Sequence, residues 1–419
     1  MRPWLAALAA TAYGCSPYGN GTFSCMDNGQ CAPNGVCQPN NLCSFPDGTC
    51  ASGQIYGENQ GPLSGTCVGE EPPMPDAPPD EPPAIDASCI IGGLDLCAFQ
   101  AKTPININDL DLLDTDTDAR CVTFPQAGGP DACLVYTTSL QISGPGTLRA
   151  VGSRPLYLVS QFDITVIGQV DLGSFRNPQS TGAGANGTGC SFEQVPGNDV
   201  GGAGGGAGGS FHGKGGDGGG GDSDNSNNPK DGSAAAGQAT GESNTPPDFA
   251  RGGCPGQRGG NGGGSNGGAS GGAVWLFANG KIEVRNGAGI RATGAGASGG
   301  QTQNAGAGGA GSGGYIKLVG ATLVIEGTLS ANGGGGGEGG SGIAGGDFGG
   351  DGNLSGTAAN GGNSAASGGN GGRGSAGGTL DGSSGSNATS GGGGGGGGAG
   401  FIVLVGTRSG AGVVSPDPQ

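Results

Sequence analysis

The sequence predicts an all-β protein: a right-handed parallel β-helix, or β-solenoid, with long glycine-rich arms, preceded by a small disulfide-rich module. Three observations predict it. Short β-branched runs recur from residue 134 onward, glycine tracts interrupt them at the same point of the repeat, and 13 cysteines fall into even groups. Glycine supplies 106 of the 419 residues, with only 5% aromatic and 12% charged, so the core must be thin and made from a few aliphatic runs.

Residues 1–15 have the layout of a cleavable export signal: Arg2, a short apolar run from Trp4 to Ala12, then Gly14 and Cys15. The run is too short to span a bilayer. Ala12, Tyr13, Gly14 and Cys15 resemble a bacterial lipoprotein processing box, with Ala12 where Leu is usual and Tyr13 where a smaller residue is usual. That resemblance implies cleavage before Cys15 and lipidation of its thiol. Ser16 in place of Asp resembles the pattern of lipoproteins sent to the outer membrane.

Cysteine parity agrees with this assignment. In an exported chain an odd cysteine needs an explanation, and lipidation of Cys15 leaves twelve. Six lie in the first group (Cys25, Cys31, Cys37, Cys43, Cys50, Cys67), four in the second (Cys89, Cys97, Cys121, Cys133) and two in the third (Cys190, Cys254). Each group can close on itself in an oxidising compartment. Residues 16–69 hold the first group among Asn, Gly, Pro and Gln, which favour turns. With so little to bury, this module should depend on three disulfides. Zinc would want closer cysteine pairs and usually histidine.

Residues 70–88 form an acidic, proline-rich linker, expected to be an extended spacer. The β-solenoid is expected over 89–419, with 89–135 a transition of mixed character. Asp114, Asp116 and Asp118 alternate there like the opening of a calcium loop. An EF-hand would next require Gly and a bidentate Glu, where this chain has Ala119 and Pro125, so a solvated turn is the better reading.

The repeat follows. Leu156–Ser160, Ala273–Ala278, Tyr315–Gly320 and Phe401–Gly406 are similar apolar runs. The first three are each followed closely by a second strand pair, at 164–172, 282–292 and 323–331, and 140–150 is a further such unit. Alternation sends one set of Ile, Val and Leu inward. No unit can bury its apolar face alone, so the units must stack. A β-sandwich would need antiparallel hairpins with tight turns, whereas long glycine arms separate these units.

The arms span about 175–272, 294–314 and 333–400. All leave after the same strand and return before the next apolar run, so they should emerge on one side. Their composition allows disorder. It also allows packing as extended three-residue helices hydrogen-bonded to one another, and the residues alone leave both open. Collagen is excluded, because glycine does not keep a strict three-residue phase over 201–213.

Little in the sequence points to chemistry. The single histidine, His212, reads as a solvated loop residue. Residues 208–215 imitate a phosphate loop but lack its Ser or Thr and its flanking elements. Parallel β-helices can carry polysaccharide lyases and hydrolases, which would need carboxylates beside Arg or Lys on adjacent strands. The candidates, Lys281, Glu283, Arg285, Lys317 and Glu326, read as a solvated surface. The net charge of −17 argues against nucleic acid and against electrostatic adsorption to anionic lipid.

The signal with Cys15, the module running from Cys43 through Cys50 to Gly65, Thr66, Cys67 and Val68, the Asp-Thr-Asp segment before Cys121, and Arg154–Leu158 ahead of glycine arms together resemble cysteine- and glycine-rich surface lipoproteins of myxobacterial type. The likeness implies location and architecture, a lipid-anchored protein of the outer envelope, and offers no catalytic residues to map; with no catalytic constellation in the sequence, the expected role is structural or adhesive, without a cofactor. Its partners would be the membrane, through the lipid, and extracellular polysaccharide, matrix or other surface proteins.

Overall fold

The computed structural model describes residues 24–31, 33–58, 60, 63–69, 89–222, 235–241, 243–261, 265–364 and 368–419. Cys15, the export signal and the whole 70–88 linker lie outside the described residues. The chain divides into two compact units, 1–85 and 86–419. No α-helix occurs among the described residues.

In the first unit, β1 (Val36–Cys37), β2 (Cys43–Pro46) and β3 (Gln54–Tyr56) form a small antiparallel sheet. Its interior is mostly sulfur. Cys25–Cys37, Cys31–Cys43 and Cys50–Cys67 are bonded, and Phe45 packs on the buried Cys25, Cys31 and Cys43. Apolar burial this small cannot order some forty residues alone, so the cross-links supply the constraint.

The second unit opens with a hairpin of β4 (Ile90–Ile91) and β5 (Leu94–Asp95), clipped by Cys89–Cys97. The chain then makes repeated passes. The first holds β6 (Ile105–Ile107) and β7 (Leu110–Asp114). After β8 (Val122–Phe124), the second holds β9 (Ala132–Thr137), β10 (Leu140–Ile142) and β11 (Thr147–Val151). The third holds β12 (Leu156–Ser160), β13 (Ile164–Val166) and β14 (Gln169–Asp171). After β15 (Phe192–Gln194) and β16 (Gln238–Ala239), the fourth holds β17 (Ala273–Ala278), β18 (Lys281–Val284) and β19 (Gly289–Arg291). The fifth holds β20 (Tyr315–Ile325) and β21 (Thr328–Ser330), and the sixth β22 (Phe401–Ser409) and β23 (Val413–Ser415).

Corresponding strands pair in parallel and in register, giving three columns. Column A stacks Cys133, Leu156, Val274, Ile316 and Ile402. Column B stacks Ile105, Leu140, Ile164, Ile282 and Leu323. Column C stacks Leu112, Arg149, Asp171, Arg291, Ser330 and Ser415. Because β20 and β22 run through both A and B, those columns form one curled ten-stranded sheet, in which only β8 is antiparallel. The stretch 89–135 is thus more than a transition, since it supplies a whole pass and the start of the next. Its polar interruptions (Asn106, Asp111, Asp114) hid the alternation.

One aliphatic core lies against all three columns, with Leu158 and Leu276 from A, Ile164 and Ile282 from B, and Leu148 and Ile290 from C. Column A is buried on its other face as well, as near-continuous apolar strands require. There Tyr157, Trp275, Tyr315 and Phe401 succeed one another up the stack, with ring centroids 5.1, 5.4 and 5.8 Å apart. The hairpin covers part of this ladder with Ile91 and Leu96. Gly92 sits so close that a Cβ would lie 2.7 Å from Phe277 and Val319.

The three arms leave column C after β14, β19 and β21 and re-enter column A at β17, β20 and β22. Their described residues are packed, which settles the choice the composition left open. Hydrogen bonding repeats every three residues: Gly205 and Gly208 donate to Gly219 and Gly216, and Gly206 and Gly209 to Ala307 and Ala310. In turn Gly392, Gly395 and Gly398 donate to the carbonyls of Ala203, Gly206 and Gly209. This is the period of an extended three-fold helix, whose backbone groups find partners only in neighbouring segments. Glycine is required by proximity, since a Cβ on Gly202, Gly205 or Gly208 would fall 2.1, 2.0 or 1.9 Å from a carbonyl oxygen.

Candidate functional site

The aspartates at 114, 116 and 118 do not converge into a cation cage. Asp114 accepts from the Asp116 amide, Asp116 accepts from the Ser153 amide and hydroxyl, and Asp118 accepts from Arg120. Arg120 also pairs with Asp111. Hydrogen bonding from Arg120 holds the Asp118 carboxyl below its ordinary pKa. The segment is a turn pinned by two arginines, Arg120 and Arg154.

Lys281, Glu283 and Arg285 form an ion-pair triplet on β18 and just beyond it, with separations of 2.8 and 3.1 Å. The Lys281 hydrogen bond draws the Glu283 carboxyl below its usual range. Lys317 stands apart, its ammonium 4.2 Å from the centroid of Trp275, and burial lowers its pKa. Glu326 is exposed at a bend.

His212 is not solvated. It is 3% exposed and stacks on Phe401 at 4.6 Å, while Phe211 meets the same ring edge-on at 5.0 Å. The polar look of the surrounding glycine tract concealed that this arm folds back over the aromatic ladder. Cys121–Cys133 and Cys190–Cys254 complete the six disulfides, the latter closing the first arm across 64 positions.

The charge cluster that sequence reasoning missed is on column C. Arg149, Asp171 and Arg291 occupy the same position on β11, β14 and β19. Asp171 accepts from Arg149 and from the Gly173 amide at 2.9 Å, and Arg291 donates to both its oxygens at 2.9 and 2.8 Å. Phe175 lies against both guanidinium groups, at 5.0 and 4.5 Å. Aligning 147–150, 169–172 and 289–292 would have exposed this ladder. Its carboxylate is enclosed and fully hydrogen-bonded, and this arrangement fastens the root of the first arm.

A more open feature lies on the outer glycine layer. Two neighbouring segments, 359–364 and 368–375, place Asn360, Asn363, Asn370 and Arg373 outward at three-residue spacing, with Gly362, Gly369 and Gly372 buried between them. A groove of about 470 Å³ is lined by these four side chains with Asp347 and Phe348. Arg373 donates to Asn360 at 3.0 Å, and the Arg176 guanidinium lies 3.9 Å from the Phe348 centroid. Below, Glu338 is fully buried and accepts from the Asp347 amide at 3.0 Å and the Ser364 amide at 2.7 Å, tying the wall segments together. Comparison with known protein families, curated proteins and solved structures gives no match for this chain.

Proposed function

We propose that the chain is a lipid-anchored, non-catalytic structural or adhesive protein of the bacterial outer surface, similar to the cysteine- and glycine-rich surface lipoproteins its sequence resembles. In this reading its successive passes are coils of a right-handed parallel β-helix. The observation that carries the proposal is the shared exit of all three arms from column C to column A, which gathers them into one layer with outward polar side chains. Such a layer has much backbone hydrogen bonding and few titratable groups, a composition suited to contact rather than turnover. Six disulfides fit an oxidising location.

Membrane attachment would come from lipid on Cys15, because an acidic chain gains nothing from anionic headgroups. Intact-mass and N-terminal peptide analysis of protein from the envelope tests this. A diacyl adduct on Cys15 with six disulfides is expected, and a free, unmodified Cys15 thiol would remove the anchor.

A further inference from the structure

We propose that the groove between residues 347–348, 359–364 and 368–375 binds a neutral extracellular polysaccharide. The inference deepens the surface-protein reading and rests on it only for the location of the ligand.

The floor is backbone. A Cβ on Gly361, Gly362 or Gly371 would meet the carbonyl oxygens of Gly371, Asp347 or Gly336 at 2.0, 2.2 and 2.0 Å, so the close packing of neighbouring segments holds these lining positions to glycine and leaves the floor without side chains. A sugar ring can therefore lie directly on the layer. The walls offer Asn360, Asn363 and Asn370, whose amides both donate and accept, which is what a hydroxyl-covered ligand needs. Phe348, 53% exposed, supplies an apolar patch for the C–H face of a ring, and Arg176 fixes its orientation from one side.

Periodicity sets the length of the ligand. A three-fold extended helix advances about 9 Å per turn, so Asn360 and Asn363 on one segment, and Asn370 and Arg373 on the next, recur at near the length of a disaccharide. A polymer with a repeating unit can meet both turns in the same way. Charge sets its class. Asp347 and Arg373 line the groove with opposite charges and the Arg176 guanidinium lies beside Phe348, an imbalance of one charge that is too small to select a polyanion or a polycation. Nucleic acid would require a basic surface that this chain lacks.

The test is affinity electrophoresis and calorimetry of the purified full chain against soluble neutral polysaccharides (dextran, laminarin, galactomannan), with alginate as the anionic arm. Binding to at least one neutral polymer is expected, weakened about tenfold by Phe348→Ala, whose lost contact is that of a central aromatic anchor. Asn363→Ala combined with Asn370→Ala should weaken it as well; both side chains are exposed, so unfolding does not confound the result. The proposal is overturned by no binding to any neutral polymer, by binding to alginate alone, or by binding indifferent to all three substitutions. Those outcomes leave the Cys15 adduct as measured, so failure of the groove and failure of the anchor are distinguishable.

Discussion

The carboxylate of Asp171 accepts a 2.9 Å hydrogen bond from Arg149 on the strand beside it, with only about a tenth of either side chain exposed. Arg291 closes from the opposite strand, so one buried anion serves two cations. Removing it leaves both guanidinium groups confined without their partner. Asp171→Ala should cost about 3–5 kcal/mol, read from denaturant unfolding. Replacing all three residues with apolar ones of similar volume should restore most of that loss, since a buried ion cluster gains little over good packing.

The aromatic ladder predicts sensitivity to alkali. Burial raises the pKa of both Tyr157 and Tyr315 above the ordinary tyrosine value. The neutral phenols contribute stability that is fully present below the unfolded value near 10. It is lost as pH rises above that value, because the unfolded chain ionises first. The two together should lower unfolding free energy by about 3 kcal/mol between about pH 9 and pH 11. Unfolding curves across that range for Tyr315→Phe should show about half the decline.

Glycine spacing in the layer can be tested one position at a time. Gly208→Ala places a Cβ 1.9 Å from the Gly396 carbonyl, whereas Gly378→Ala meets nothing within 4 Å. The first should lower stability by about 1–3 kcal/mol and the second leave it nearly unchanged. Thermal unfolding of the two variants side by side measures the difference.

Cys190–Cys254 closes the longest disulfide loop in the chain among the described residues, spanning 64 positions. On chain entropy alone, such a cross-link contributes about 4 kcal/mol. The double Cys190→Ser, Cys254→Ser variant should lose amide protection in 190–222 and 243–260 first, with columns A, B and C retaining theirs. Hydrogen exchange followed by mass spectrometry resolves the two regions.

The columns were legible because strand alternation writes burial into sequence. Leu156, Leu158, Val274 and Leu276 face the aliphatic core, while Tyr157 and Trp275 face the ladder. The first pass was less legible, since Leu110 and Leu112 point outward and are exposed. Composition left packing and disorder of the arms equally open, and the pairing of segments could not be read. Gly205 and Gly219 are partners through backbone atoms that every residue shares, so nothing in their side chains marks the pair. The groove was hidden for the same reason. Asn360 and Asn370 are ordinary loop residues until two three-fold segments lie side by side. His212 illustrates the converse, a polar residue buried because its neighbour Phe211 reaches an aromatic surface far along the chain.

Residues 391–400 lie among segments from every arm, bonded to Ala203 and Gly219 of the first, Ala307 and Ala310 of the second, and Gly334 and Gly337 of the third. The layer consequently cannot close until this late stretch has been synthesised, whereas the columns can grow pass by pass from contacts between successive units. Closure of the layer therefore rests on contacts distant in sequence, the kind that slow folding. Before that closure the arms present mostly glycine backbone, which water can solvate, with Phe211 among the few apolar side chains they expose.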